Sequence, residues 1–209
     1  MYTPPVNAET RLPVLRQMIA AHPLAAVVTL TSSGLVASHI PLVLEDDGSE
    51  LGVLKGHVSK ANSQWRESLE GTDALAIFTG PQHYVSAGWY PGKQEHGREV
   101  PTWNYVVVHA GGPLRMVEDA AWLLEHLEAL TNQQEAGFSP PWKVADAPTE
   151  YVNAMLKAIV GFELKVRRLE GKWKVSQNRN ETDRLAVIAG LERLDTPAAR
   201  TMRDLVARE

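Results

Sequence analysis

The stretch KGHVSKANSQW, residues 55–65, concentrates chemistry: an imidazole, a hydroxyl, an ammonium and a carboxamide (His57, Ser59, Lys60, Asn62) fall within six positions. An apolar, strand-like run ends here, so these groups sit where an extended segment gives way to a helical start. Alternation along residues 51–58 puts Leu54, Gly56 and Val58 on one face and Val53, Lys55 and His57 on the other. Ser59 and Lys60 then fall at the strand end. A hydroxyl, an ammonium and the open N–H groups of a helix start together make a receptor for a phosphate. A plainer reading also stands, in which Asn62 caps a helix and Lys60 is solvated.

The rest of the sequence excludes several chemistries. With 0 cysteines there are no disulfides, zinc ribbons, thiolate haem ligands or cysteine nucleophiles. No phosphate loop of the GxxxxGK[ST] type, no GxGxxG, no GxSxG and no HExxH is present. The 7 histidines, at 22, 39, 57, 83, 96, 109 and 126, do not form the close pairs that helical metal sites use. A net charge of -4, from 25 acidic and 21 basic residues, opposes wholesale nucleic-acid binding. Lys165, Arg167, Arg168, Lys172 and Lys174 form a local basic cluster that is either solvated or able to touch phosphates. Neither a basic start followed by an apolar core nor an apolar run of membrane-spanning length is visible, so a soluble, cytoplasmic protein is expected.

The elements that must position these groups read as strands first and helices later. Residues 9–21 suggest a helix, with Pro13 in its first turn. Residues 24–30, 35–44 and 51–58 suggest strands joined by turns at Ser32-Ser33-Gly34 and Asp46-Asp47-Gly48-Ser49, an antiparallel meander. A helix is expected over 62–69. Strands are expected at 74–79 and 83–87, joined by Gly80-Pro81, and a long loop at 88–101. The extended segment 103–117 is interrupted at Gly111-Gly112-Pro113 by a bulge or kink. Leu123, Leu127 and Leu130 fall at helical spacing, as do Tyr151, Met155 and Ile159. Residues 162–169 and 172–175 suggest a hairpin turning at Glu170-Gly171. Asn180 caps a helix carrying Leu185, Ile188 and Leu191, and residues 196–209 suggest a last helix. The fold class expected is mainly β with α additions, an antiparallel barrel in one domain over 1–209, with a helical insertion near 118–160 and C-terminal helices over 181–209.

The segments HPLAAVVTL, SHIPLVL, GHVSKANSQW, AIFTGPQHYVSAGWY, VPTWNYVVVHAGGPLR, PWKVADAP, LKAIVGFEL and LEGKWKVSQNRNETDR occur in this order. Together they resemble the PaiB family of FMN-binding negative transcriptional regulators, from Met1 to about Leu191. The resemblance implies a flavin-reductase-like split β-barrel plus C-terminal helices, forming a homodimer with FMN at the subunit interface. It makes Ser59, Lys60 and Asn62 phosphate ligands and lets His57 and Val58 line the ribityl chain or ring edge. His39, Ile40 and Pro41 would lie along the flavin, although His39 reads equally as a strand histidine bonded to a neighbouring carbonyl. Trp103 and Asn104 would reach the cofactor from another segment, unless Trp103 is core. Trp173, Gln177 and Arg179 carry over similarly, against a reading of 177–179 as a turn before Asn180. Gln82-His83-Tyr84 would add a ribityl contact, and the 88–101 loop would cap the ring or be solvated. The function implied is negative transcriptional regulation through DNA or a regulatory protein partner. An FMN-dependent oxidoreductase or flavin reductase is the alternative, and haem binding through His57 or His109 a third.

Overall fold

The protein is described here by a computed structural model covering residues 1–69 and 72–208. Its elements are β1 (Ala8–Glu9), α1 (Leu12–Ala21), β2 (Leu24–Thr31), β3 (Gly34–Pro41), β4 (Val43–Glu45), β5 (Val53–Ser59), α2 (Gln64–Glu67) and β6 (Asp73–Val85). After these come α3 (Gly92–Glu95), β7 (Thr102–Val117), α4 (Ala120–Glu135), α5 (Thr149–Lys157), β8 (Ile159–Lys165), β9 (Arg168–Lys174), α6 (Glu181–Leu194) and α7 (Pro197–Ala207). The strand order is β3-β2-β6-β7-β8-β5-β4, and β9 pairs with β1 and β7. Among the described residues no helix is long and apolar enough to cross a membrane.

Two compact units are distinguishable: Arg16–Phe78 with His109–Leu169, and Met1–Leu15 with Thr79–Val108 and Glu170–Glu209. In the first, β2 and β3 form a hairpin whose register runs from Leu24↔Pro41 to Thr31↔Gly34. Gly34 takes φ +114°, which a side chain would resist, and so closes the turn. β5 pairs with β8 from Val53↔Lys165 to Ser59↔Ile159, and β4 with β5. Alternate residues Ala25, Val27, Leu54, Phe162 and Leu164 are buried, the signature of strands with one face on a core. In the second unit, Tyr90, Val106, Val175, Leu191, Met202 and Val206 form the buried set. The Asn180 carboxamide oxygen accepts the Asp183 amide at 2.8 Å to start α6, and Thr196 caps α7.

Several expectations need correction. The 35–44 segment is two strands, broken at Leu42, whose amide donates to the Pro23 carbonyl. Gly80-Pro81 does not separate two strands, because β6 runs through it. The expected hairpin over 162–175 does not form: β8 pairs with β5 and β7, β9 pairs with β1 and β7, and the connection between them falls at Val166-Arg167 rather than Glu170-Gly171. Gly171 lies inside β9 because a Cβ there would meet Leu15, the Glu9 carbonyl and the Trp173 ring. On α5, Leu156 is buried whereas Tyr151 and Met155 are exposed, and Ile159 opens β8. The 88–101 loop contains the single turn α3.

Candidate functional site

An open cleft of about 480 Å³ lies at the ends of β3 and β5. Ser38, His39, Ile40 and Pro41 reach it from β3, His57, Val58 and Ser59 from β5, Asn62 from the following loop and Ile159 from the start of β8. Seven expected site residues are thus brought together: His39, Ile40, Pro41, His57, Val58, Ser59 and Asn62. They are 16 or more positions apart at their closest across the two strands (Pro41 to His57), so only the return of β5 alongside β3 gathers them. The described lining carries hydroxyls, imidazoles and a carboxamide beside apolar groups, and no carboxylate.

Local hydrogen bonds explain how the loop is held. The Asn62 carboxamide nitrogen donates to the Ser38 hydroxyl at 3.0 Å, and its oxygen accepts the Gln64 amide at 3.0 Å. Gln64, buried, donates through Nε2 to the Val27 and Val36 carbonyls and the Thr29 hydroxyl at 3.0–3.2 Å. One side chain therefore ties the loop to both strands of the β2–β3 hairpin.

The same bonds correct the phosphate-receptor argument. The Lys60 amide donates to the Ala158 carbonyl at 2.8 Å, the Ala61 amide to the Ser59 hydroxyl at 3.2 Å and the Asn62 amide to the Ser59 carbonyl at 2.9 Å. None of these backbone donors is open. The expected 62–69 helix is a four-residue turn starting at Gln64, because Asn62 closes on the Gln64 amide and Ser68 turns extended at ψ 124°. Donors for an anion must come from side chains: the Ser59 hydroxyl, the second Asn62 carboxamide hydrogen and the Lys60 ammonium. Lys60 Nζ lies 3.3 Å from the Glu118 carboxylate, and both groups are accessible to solvent.

Behind the cleft wall is a feature that the sequence reading missed. His57 Nδ1 lies 3.1 Å from Nε2 of His126, a residue of α4 that is 1% exposed. Trp122, one turn earlier, stacks on His126 with ring centroids 5.4 Å apart. The indole rests against Gly161 of β8, where a Cβ would overlap the ring. Trp122 Nε1 donates to Glu163 at 2.9 Å, and Glu163 also accepts from Arg115. Burial pushes the His57 imidazole below its ordinary pKa; burial, aided by His57 and Lys55, takes His126 down to about 4. The available signal was the i,i+4 spacing of Trp122 and His126 on one helical face.

Trp103, Asn104, Trp173, Gln177 and Arg179 belong to the second unit, and none lines the cleft; Lys60, of the first unit, stands beside the described lining rather than in it. Trp103 is 48% exposed, meets Tyr84 edge-on at 5.9 Å and donates to Gln82 at 3.0 Å. Asn104 is buried and donates to the Ser176 hydroxyl at 2.9 Å. Gln177 folds back on its own turn, accepting the Val175 amide and donating to the Trp173 carbonyl. Arg179 pairs with Glu99 at 3.1 Å and Asp183 at 3.6 Å and lies over the Tyr90 ring. The expected turn before Asn180 is present, with Ser176 at φ 67°. His109 is on β7 and is not part of the cleft lining.

Antiparallel sheet with late helices is shared with solved structures of low identity. The FAD and haem binding protein of Mycobacterium smegmatis superposes with a TM-score of 0.58 at 19% identity, covering 80% of this chain and 73% of that one. A conserved hypothetical protein of Mycobacterium tuberculosis superposes with a TM-score of 0.55 at 12% identity, covering 87% and 95%. These likenesses define the fold class, the antiparallel split β-barrel with C-terminal helices.

The family described as "Putative FMN-binding domain" matches residues 1–168. The Bacillus subtilis protein named "Protease synthase and sporulation protein PAI 2" is 32% identical over 206 residues, 99% of this chain and 96% of that protein. An uncharacterized protein of Emericella nidulans is 36% identical over 241 residues, again 99% and 96%. The chain belongs to this FMN-binding-domain family, of the PaiB type.

Proposed function

We propose that the chain binds FMN in the cleft between the ends of β3 and β5, as a homodimer, and acts in the cytoplasm as a PaiB-type negative transcriptional regulator. The observation that carries the flavin reading is the convergence of His39, Ile40, Pro41, His57, Val58, Ser59 and Asn62 on one cleft. Its volume of about 480 Å³ falls within the ~300–1,000 Å³ of cofactor sites. The lining suits a ligand with an anionic end and a flat apolar body. Ser59, Asn62 and the neighbouring Lys60 would hold the phosphate through side-chain donors, and Ile40, Pro41 and Val58 would supply apolar contact. When bound, FMN brings electron-transfer chemistry of its own, and the chain's contribution is to hold it and exclude water. Trp103 keeps an exposed aromatic face that a second copy of the chain could use to cover the ring. Asn104, Gln177 and Arg179 have internal partners, which favours a supporting role for them.

The regulatory part rests on family membership. Direct binding to DNA has little electrostatic support at a net charge of -4, so a protein partner serves the reading equally. An FMN-dependent oxidoreductase or flavin reductase is the second reading, favoured by the contact of half-buried His57 on the cleft wall with buried His126 behind it, which places a proton-carrying ring beside the ligand.

The deciding experiment is a visible absorption spectrum of the purified protein, repeated after addition of FMN and desalting. Retained flavin bands are expected; colourless protein that cannot hold added FMN would overturn the reading. Turnover of NAD(P)H with an acceptor, set against salt-sensitive binding to a promoter fragment, separates enzyme from regulator.

A further inference from the structure

His57 and His126 face each other with one ring nitrogen apiece, Nδ1 and Nε2, at 3.1 Å. A single hydrogen serves that contact, so one ring donates and the other accepts. The choice is set by the far side of His126. Its Nδ1 is buried and has no hydrogen-bond partner among the described residues. Trp122 covers the ring face. Glu163 is turned elsewhere, with one oxygen on Trp122 Nε1 and the other on Arg115. Lys55 is paired with Glu45.

If His57 donated from Nδ1, His126 would have to carry its own hydrogen on Nδ1, leaving a buried N–H with nothing to receive it. Orphaned buried N–H donors are rarer in proteins than under-satisfied acceptors. Both rings would also adopt the form that is less populated for a neutral imidazole in water. If His126 donates from Nε2, both rings keep the commoner form and only a bare Nδ1 is left unpaired. Burial keeps both rings neutral near pH 7, where this choice applies.

We propose that His126 is a positioning residue that holds His57 as the Nε2–H tautomer, so that the cleft wall presents a fixed hydrogen-bond donor and accepts, at that point, a ligand atom with a lone pair: a carbonyl or phosphate oxygen, or an unprotonated ring nitrogen. His57 lines the cleft, and Nε2 is the polar atom that its contact with His126 leaves over. The identity of the acceptor rests on the flavin reading; the tautomer does not.

Long-range ¹H–¹⁵N NMR of labelled full-length protein near neutral pH tests the tautomer, with His57→Gln and His126→Gln assigning the signals. Protonated Nε2 and bare Nδ1 are expected on both rings; a hydrogen on His57 Nδ1 overturns the proposal. FMN titration gives a second readout. His126→Phe should weaken FMN binding about 2- to 10-fold, the range of one lost hydrogen bond, and His126→Gln, which keeps an N–H donor, should recover most of it. Equal affinities in wild type, Phe and Gln variants would remove the positioning role. Nε2–H at His57 in protein that retains no FMN would sink the flavin reading and leave the donor standing. Retained FMN with Nδ1–H at His57 would do the reverse.

Discussion

Gly161 of β8 and Trp122 of α4 are in such close contact that a Cβ on the glycine would overlap the indole ring. The absence of a side chain at one position lets a tryptophan ring press against the sheet. That tryptophan then stacks on His126, which holds His57 at the cleft. Gly161→Ala is expected to cost about 1–3 kcal/mol, the usual penalty for overpacking. It should also change the His57 signals in the NMR spectrum. Urea denaturation followed by tryptophan fluorescence measures the first effect; an unchanged midpoint would mean that Trp122 moves aside freely.

The buried His126 predicts an acid limit. His126 falls from an ordinary value of 6.5 to about 4 on folding, so between those pH values the unfolded chain binds a proton that the folded chain does not. Stability is therefore fully present above about pH 6.5 and declines as pH falls toward 4. The loss is on the order of 3 kcal/mol. Urea midpoints measured from pH 7 to pH 4 should show a shallower decline in His126→Gln than in wild type.

Lys60 offers a clean separation of binding from folding. Its pairing with Glu118 is solvent-accessible on both sides, and such pairs contribute roughly 0–1 kcal/mol. Lys60→Ala should leave the urea midpoint nearly unchanged. It should weaken FMN binding about 10-fold and flatten the dependence of that binding on salt. Full FMN retention by this variant would remove Lys60 from the phosphate site.

Arg179 should behave oppositely. It bridges Glu99 and Asp183 and covers Tyr90, a fully buried ring. Arg179→Ala leaves two partly buried carboxylates without their cation, and a loss of about 2–4 kcal/mol is expected. Thermal unfolding of Arg179→Ala beside Lys60→Ala shows whether the order of the two effects is as stated.

Trp103 tests the dimer. It is 48% exposed and contacts Tyr84 and Gln82, so Trp103→Ala should cost no more than about 1–2 kcal/mol of stability. In the homodimer reading it should shift the dimer toward monomer in light scattering and weaken FMN retention together. A fully dimeric Trp103→Ala with unaltered FMN binding would place the interface elsewhere.

Much of the architecture was legible because it is written in local chemistry. A β-branched apolar run marked β2, alternation marked β5, Ser32-Ser33-Gly34 marked the hairpin, and Asn180 and Thr196 marked two helix starts. Glycine and proline misled where they are used for packing. Gly171 reads as a turn and is a strand residue pressed against Leu15 and Trp173; Gly80-Pro81 reads as a break and lies within β6. A single chain cannot distinguish a glycine needed for backbone freedom from one needed for close approach, because both are the same missing Cβ.

The candidate site divides in the same manner. By themselves the residues of SHIP and HVSKAN determined which groups were available: hydroxyls, imidazoles, a carboxamide and an ammonium at the ends of two strands. Tertiary structure alone decided which remain free to bind. It closed the backbone amide of Lys60 on Ala158, occupied Asn104 and Arg179 with internal partners, and buried His126 against His57. The physical reason is that each internal hydrogen bond removes one of a polar group's few donor or acceptor sites, and partners 69 or more positions away, as His126 is from His57, are set by packing rather than by sequence neighbourhood.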